Sequence, residues 1–191
     1  DKGEILVDGV PVRELRLADL RRVIGFVPQE TFLFSQTIAE NVGLGEMEPG
    51  ALETAARVAQ LHETVTGFPA GYETMLGERG INLSGGQKQR ATLARALARD
   101  PDVVVLDDAL SAVDTETEAA ILRGLREALS GRTTLVVSHR ITAVRDADLI
   151  VVLDDGRIVE QGRHEDLFAK RGRYWELLRK QQLEESLEAV G

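Results

Sequence analysis

Leu83-Ser84-Gly85-Gly86-Gln87, followed further on by Val103-Val104-Val105-Leu106-Asp107-Asp108, decides how this chain is read. The first stretch is a glycine-rich turn opening a helix. Such a turn presents backbone N–H groups and the positive end of a helix dipole to a phosphate. The second is an apolar strand that delivers two carboxylates at its C-terminal end, where α/β sheets bind ligands. Together they read as half of a nucleotide-hydrolysing site. A G-x-x-x-x-G-K-[ST] phosphate loop does not occur in the 191 residues.

The composition sets outer bounds. Hydrophobic residues make up 43% and aromatic residues 4%, enough for an aliphatic core and too much for a disordered chain. With 32 acidic and 23 basic residues the formal charge is −9, which argues against sequence-independent nucleic-acid binding. The absence of cysteine excludes disulfides and thiolate metal sites. The longest apolar run, Leu149 to Leu153, has five residues. A membrane span needs about 20, so this segment is expected to stay out of the bilayer. The chain opens on Asp1 without a methionine and is read as a piece of a longer polypeptide.

Outward from the two decisive stretches, the pattern alternates. Ser84 is expected to begin a helix that runs to about Ala98, with Leu93, Ala94 and Leu97 on one face. Asp102 to Leu106 reads as a strand, and Asp114 as the N-cap of a helix to Leu129. Thr133 to Val137 is a strand, Ile141 to Asp146 a short helix, and Leu149 to Leu153 a strand. Asp155-Gly156 turns that strand into Arg157 to Glu160. Helices follow at Arg163 to Ala169 and from Gly172 to about Glu188. Trp175, Leu178, Leu183 and Leu187 give the last of these an apolar side that should pack on the domain, with a dimer contact as the alternative.

Upstream, Glu4 to Val7 is a strand that turns at Asp8-Gly9. Leu17 to Arg22 is a short helix, and Val23 to Val27 a buried strand ending at Pro28-Gln29. Thr37 to Val42 makes one or two helical turns. Pro49 to Leu61 reads as one helix, and Gly67 to Gly80 as loop. Strand–helix–strand alternation predicts a parallel sheet flanked by helices. The strand-poor stretch from Ser35 to about Gly80 reads as a helical insertion.

These motifs, in this order, resemble the nucleotide-binding domain of ABC transporters. Leu83 to Gln87 resembles the family signature, and Val103 to Asp107 the Walker B strand. Gln29 stands at the Q-loop glutamine, Ser111-Ala112-Val113-Asp114 resembles the D-loop, and His139 after Val136-Val137-Ser138 matches the switch histidine. Thr74 to Gly80 is similar to the X-loop of exporters, and Phe32 to Asn41 to the exporter sequence after the Q-loop. The resemblance implies an α/β fold: a three-layer, P-loop NTPase-like parallel sheet with a helical subdomain, truncated at the N-terminus before the Walker A region. Residues 1–191 would form one partial domain. About 35–98 would be the helical subdomain, about 102–162 core strands and helices, and 163–191 C-terminal helices.

The resemblance also assigns roles. Ser84, Gly85, Gly86 and Gln87 would bind the γ-phosphate of ATP held by a second nucleotide-binding domain, so the working unit is a dimer. Asp107 would orient Mg²⁺ through water, and Gln29 would turn a side-chain oxygen toward it. Asp108 and His139 would handle the attacking water, and Asp114 would touch the dimer interface. Glu78 and Arg79 would face a transmembrane domain carried on the same polypeptide. His62 and His164 have no such context and are expected at the surface.

Asp108 departs from the family, which usually places Glu there. Its oxygens retreat by about 1.5 Å, one C–C bond length. The expectation is a weakened site on this chain, within a heterodimer in which this chain's intact signature completes the competent site on the partner's phosphate loop. The alternative is that Asp serves after a small backbone shift. The implied activity is an ATP-driven exporter motor at the cytoplasmic face of the cell membrane, with no nucleic-acid partner. A soluble ABC ATPase of DNA repair or translation, or an inactive fragment, are the other readings.

Overall fold

The computed structural model describes residues 3–44, 48, 50–77 and 81–188. Pro49, Glu78, Arg79 and Gly80, to which the sequence assigns a helix start and the X-loop, lie outside them. The chain divides into two compact units, residues 1–135 and 136–191.

The first unit opens with a hairpin of β1 (Leu6–Val7) and β2 (Val10–Pro11), Leu6 opposite Pro11 and Val7 opposite Val10. Asp8 and Gly9 both take positive φ, +50° and +78°, as a tight hairpin turn demands. Helix α1 (Leu17–Val23) leads into β3 (Ile24–Val27). Strand β3 pairs in parallel with β4 (Val103–Asp107), Ile24 opposite Val103 through Val27 opposite Leu106. The sheet order is β3-β4-β5, where β5 is Thr133–Val137 and the first unit ends within it. Gly25 is a glycine because a Cβ there would lie 2.8 Å from the Pro101 ring and 2.9 Å from the Ala96 carbonyl.

Between β3 and β4 the chain is helical. Helix α2 (Ile38–Gly43) starts from a capping box of Thr37 and Glu40. The helix expected over Pro49 to Leu61 is α3 (Ala51–Val58). Gln60 then takes a φ of +53°, its carbonyl accepting from Arg90, and α4 (His62–Thr66), which the sequence reading left unassigned, begins beyond the expected span. A 3₁₀ turn at Gly71–Glu73 interrupts the expected loop. Helix α5 (Gly85–Leu97) then packs on α2, α3 and β3. Its expected inward residues Leu93 and Ala94 are fully buried, with Val104, Leu106 and Ile121 of this unit. Helix α6 (Thr115–Ala128) follows, capped by Asp114.

The second unit holds helix α7 (Ile141–Val144) and the antiparallel hairpin of β6 (Ile150–Asp154) and β7 (Arg157–Gly162). Helices α8 (His164–Lys170) and α9 (Arg173–Glu188) complete it. Ile141, Ile150, Val152, Leu167 and Tyr174 form its core, with Leu178 against them. Strand β6 pairs with β7 through the expected Asp155-Gly156 turn, as a two-stranded sheet. Leu183 and Leu187 of α9 are 63% and 67% exposed, so only the first half of that helix packs as expected.

Candidate functional site

The signature turn owes its local structure to a second capping box. Ser84 has extended backbone as the N-cap, and its Oγ accepts from the Gln87 N–H at 3.3 Å. The Gln87 side-chain oxygen accepts in return from the Ser84 N–H at 2.9 Å. The box consumes Ser84 and Gln87 side-chain capacity and leaves Gly85 and Gly86 as the first two helical residues. Helix geometry gives their N–H groups no carbonyl to bond within the helix.

Asp107 ends β4, and the parallel register places the end of β3 beside it, so Gln29, two residues past Val27, leaves the same sheet edge. Asp108 follows with a φ of +47°, the left-handed region that Asp tolerates better than longer side chains. Its carbonyl accepts from the Ser111 N–H at 3.3 Å and the Ser111 Oγ at 3.0 Å, which closes the turn. The turn lies against α5. A Cβ on Gly86 would meet the Ala112 carbonyl at 2.7 Å, whereas one on Gly85 would only touch the Ala112 Cβ at 3.5 Å.

Gln89, 5% exposed, ties the same two pieces together. Its Nε2 donates to Ser111 Oγ at 3.0 Å, and its Oε1 accepts from the Ala112 N–H at 2.9 Å. Asp114 caps α6 by accepting from the Thr117 N–H at 2.9 Å, and that bond holds its carboxyl below the usual carboxylate range. The structure therefore brings Ser84, Gly85, Gly86 and Gln87 next to the turn that carries Asp108 and Asp114, all in the first unit. His139 lies in the second unit, exposed, between β5 and α7, beside a turn in which the Arg140 N–H donates to Ser138 Oγ at 3.0 Å.

The oxygen donors at the sheet edge are compatible with Mg²⁺. Among the described residues no group of three or more His, Cys, Asp or Glu side chains converges on a metal-sized space. Mg²⁺ takes few protein ligands and fills its shell with phosphate oxygens and water. A lone strand-end carboxylate such as Asp107, with the Gln29 amide oxygen on the same edge, is the oxygen chemistry that such an ion accepts.

Sequence reading missed two arrangements. The first is centred on Asn41, fully buried in α2. Its Oδ1 accepts from the Phe34 N–H at 2.7 Å and from Arg95 at 3.0 Å, and its Nδ2 donates to the Phe34 and Thr37 carbonyls at 2.9 and 3.0 Å. Arg95 also donates to the Asn41 carbonyl at 2.6 Å and the Phe32 carbonyl at 2.8 Å. The loop so pinned presents Phe32 and Phe34 edge to face, 63% and 42% exposed. Asn41→Leu keeps the branched shape, adds volume and strands several of these buried partners. A loss of about 3 kcal/mol, or roughly 6–12 °C in unfolding midpoint, is expected. Thermal unfolding of the full-length polypeptide measures it; a shift under about 2 °C would show that the loop does not depend on Asn41.

The second concerns the histidines. His62 and His164, expected at the surface, are half-buried. Each meets the hydroxyl of a tyrosine ten positions later, Tyr72 at 2.9 Å and Tyr174 at 2.7 Å. The equal spacing was visible in the sequence; the pairing was not.

The sequence profile of the family described as "ABC transporter" matches residues 1–111. The chain belongs to the ABC transporter family. This ABC chain is 46% identical over 184 residues to a Bacillus subtilis (strain 168) protein named as a probable multidrug resistance ABC transporter ATP-binding/permease protein; the match covers 95% of this chain and 32% of that one. It is 49% identical over 185 residues to the human mitochondrial potassium channel ATP-binding subunit, covering 95% and 25%. A bacterial Atm1-family ABC exporter solved with ATP bound superposes with a TM-score of 0.89 at 40% identity, over 95% of this chain and 32% of that one. The fold is the P-loop NTPase-like α/β fold of ABC nucleotide-binding domains. The chain spans about a third or less of the length of these relatives. Among the described residues no helix is long and apolar enough to cross a membrane.

Proposed function

We propose that this chain is the ATP-binding and ATP-hydrolysing motor portion of an ABC exporter, at the cytoplasmic face of the cell membrane. The reading is carried by the capped, glycine-rich start of α5 packed on the turn that follows Asp107, in a chain so similar to an ATP-bound exporter. In this reading the transmembrane domain lies on the same polypeptide, and a second nucleotide-binding domain completes each site.

Gly85 and Gly86 hold the γ-phosphate of ATP bound by the partner domain through backbone N–H groups at a helix start, Ser84 adds its hydroxyl proton, and Gln87 closes the capping box that shapes the turn. Asp107, through water, and the Gln29 side-chain oxygen would hold Mg²⁺ at the sheet edge, where the ion would supply neutralisation of phosphate charge. Asp108 orients the attacking water and His139 steadies it. Asp114 contributes to the dimer contact. Asp108, one methylene short of Glu, makes the site built on this chain slow. A different, competent partner subunit would then supply the hydrolysing site.

The test is phosphate release from Mg-ATP by the full-length polypeptide recovered from membranes. Release that stops on chelation of Mg²⁺ is expected. Recovery in the soluble fraction would overturn the exporter reading, and absence of Mg²⁺-dependent release would overturn the ATPase reading.

A further inference from the structure

We infer that Gln89 is a positioning residue that braces the two half-sites of this chain against each other. The inference deepens the proposed function and rests on it. In that reading the start of α5 serves the nucleotide of the partner, while Asp107 and Asp108 serve this chain's own. Two sites therefore meet in one polypeptide, and the structure has a specific link between them.

The link depends on the chemistry of an amide. The Ala112 N–H is an obligatory donor, so the Gln89 oxygen must face it, and the amide nitrogen must then face Ser111 Oγ. Ser111 has one hydroxyl proton, and it donates that proton to the Asp108 carbonyl. The Ser111 oxygen is thus an acceptor toward Gln89 and a donor toward Asp108. The relay runs from the second turn of α5 to the backbone of Asp108, which holds a φ of +47°. It is buried at its origin, with Gln89 5% exposed, where an unsatisfied partner is disfavoured. Gly86, one turn earlier on α5, approaches the same Ala112. A phosphate that shifts the α5 start therefore shifts the turn that aims Asp108. Because the brace serves both half-sites, turnover falls on its loss whichever of them hydrolyses.

Gln89→Glu isolates the relay. A carboxylate still accepts from the Ala112 N–H but has no proton for Ser111. The Ser111 hydroxyl then turns to the carboxylate and leaves the Asp108 carbonyl with only the longer of its two bonds from Ser111, that of the N–H at 3.3 Å. In the assembled full-length protein, Gln89→Glu is expected to lower kcat for Mg-ATP about ten-fold, a fraction of the penalty for a 1 Å misplacement, with KM within two-fold of the unaltered protein. Ser111→Ala breaks the relay by another route and should match it. The decisive readout is the combination: Gln89→Glu added to Ser111→Ala should lower kcat no further. Should Gln89→Glu fail to fold, Gln89→Asn, which cannot span both contacts, takes its place in the same cycle. Additive losses, a KM effect with kcat intact, or an unchanged kcat would overturn the inference while the proposed function stands. Absence of Mg²⁺-dependent hydrolysis in the unaltered protein would overturn the proposed function, and this inference with it.

Discussion

Gly86→Ala is expected to reduce Mg-ATP turnover of the full-length protein by about 10²-fold, the scale of a 1 Å misplacement at a reacting site. The added methyl would sit 2.7 Å from the Ala112 carbonyl oxygen, a backbone atom that has no rotamer to move away. The turn is held in place by the Gln89 contact to the Ala112 N–H at 2.9 Å. Relief must come from a displacement of the α5 start or of the Asp108 turn, and both carry site residues. Alanine also improves helix propensity by about 1 kcal/mol. Overpacking against fixed backbone is destabilising by about 1–3 kcal/mol, so the clash outweighs the gain. Gly85→Ala is the paired control. Its methyl meets only the Ala112 Cβ at 3.5 Å, an ordinary contact. Stability there should stay within about 0.5 kcal/mol of the parent, measured by thermal unfolding. Any loss of turnover at Gly85 would then report closeness to the phosphate. Gly86→Ala with parental turnover would show that the α5 start and the turn adjust freely.

The contrast between these two glycines shows what the sequence could carry. A run of two glycines after serine announces a helix start and a phosphate-sized opening, and it does not reveal which glycine packs on protein. Local signals were read well. The Ser84 and Asp114 caps and the turns at Asp8-Gly9 and Asp155-Gly156 depend on neighbours within a few residues. The errors fell where a distant residue decides. Helix α4 (His62–Thr66) has no local signal in the sequence, and Gln60 just before it, at a φ of +53°, is tied to Arg90, about thirty positions on. Asn41 owes its burial to Arg95, over fifty positions on, and to the Phe34 backbone, and nothing beside it in the sequence names either partner. Gln89 had a usable signal. It lies four residues before Leu93, on the face already assigned to the core, and a polar side chain there needs a partner. Its partner could not be named from the sequence, because the turn at Ser111 and Ala112 is over twenty positions away.

Asp108→Glu is expected to raise turnover at the site built on this chain, by about 10²-fold if the missing methylene displaces the water-orienting oxygen by 1 Å or more. The structure adds a term on the other side. Asp108 holds a φ of +47°, and a left-handed backbone disfavours most L-residues by about 1–2 kcal/mol while Asp and Asn tolerate it. Glutamate should therefore lower the unfolding midpoint slightly while it restores reach. Rate and stability moving in opposite directions is a signature that simple repacking would not give. Asp108→Asn completes the test, because it keeps the backbone preference and removes the charge. On a site that is already slow, Asn should change the overall rate of a heterodimer by less than about two-fold, because the competent site carries nearly all of the turnover. A large loss with Asn, and none gained with Glu, would mean that the shorter carboxylate already reaches the water. Asp108 would then be the working base of a competent site, and the weakened-site reading would fall while the exporter motor remained.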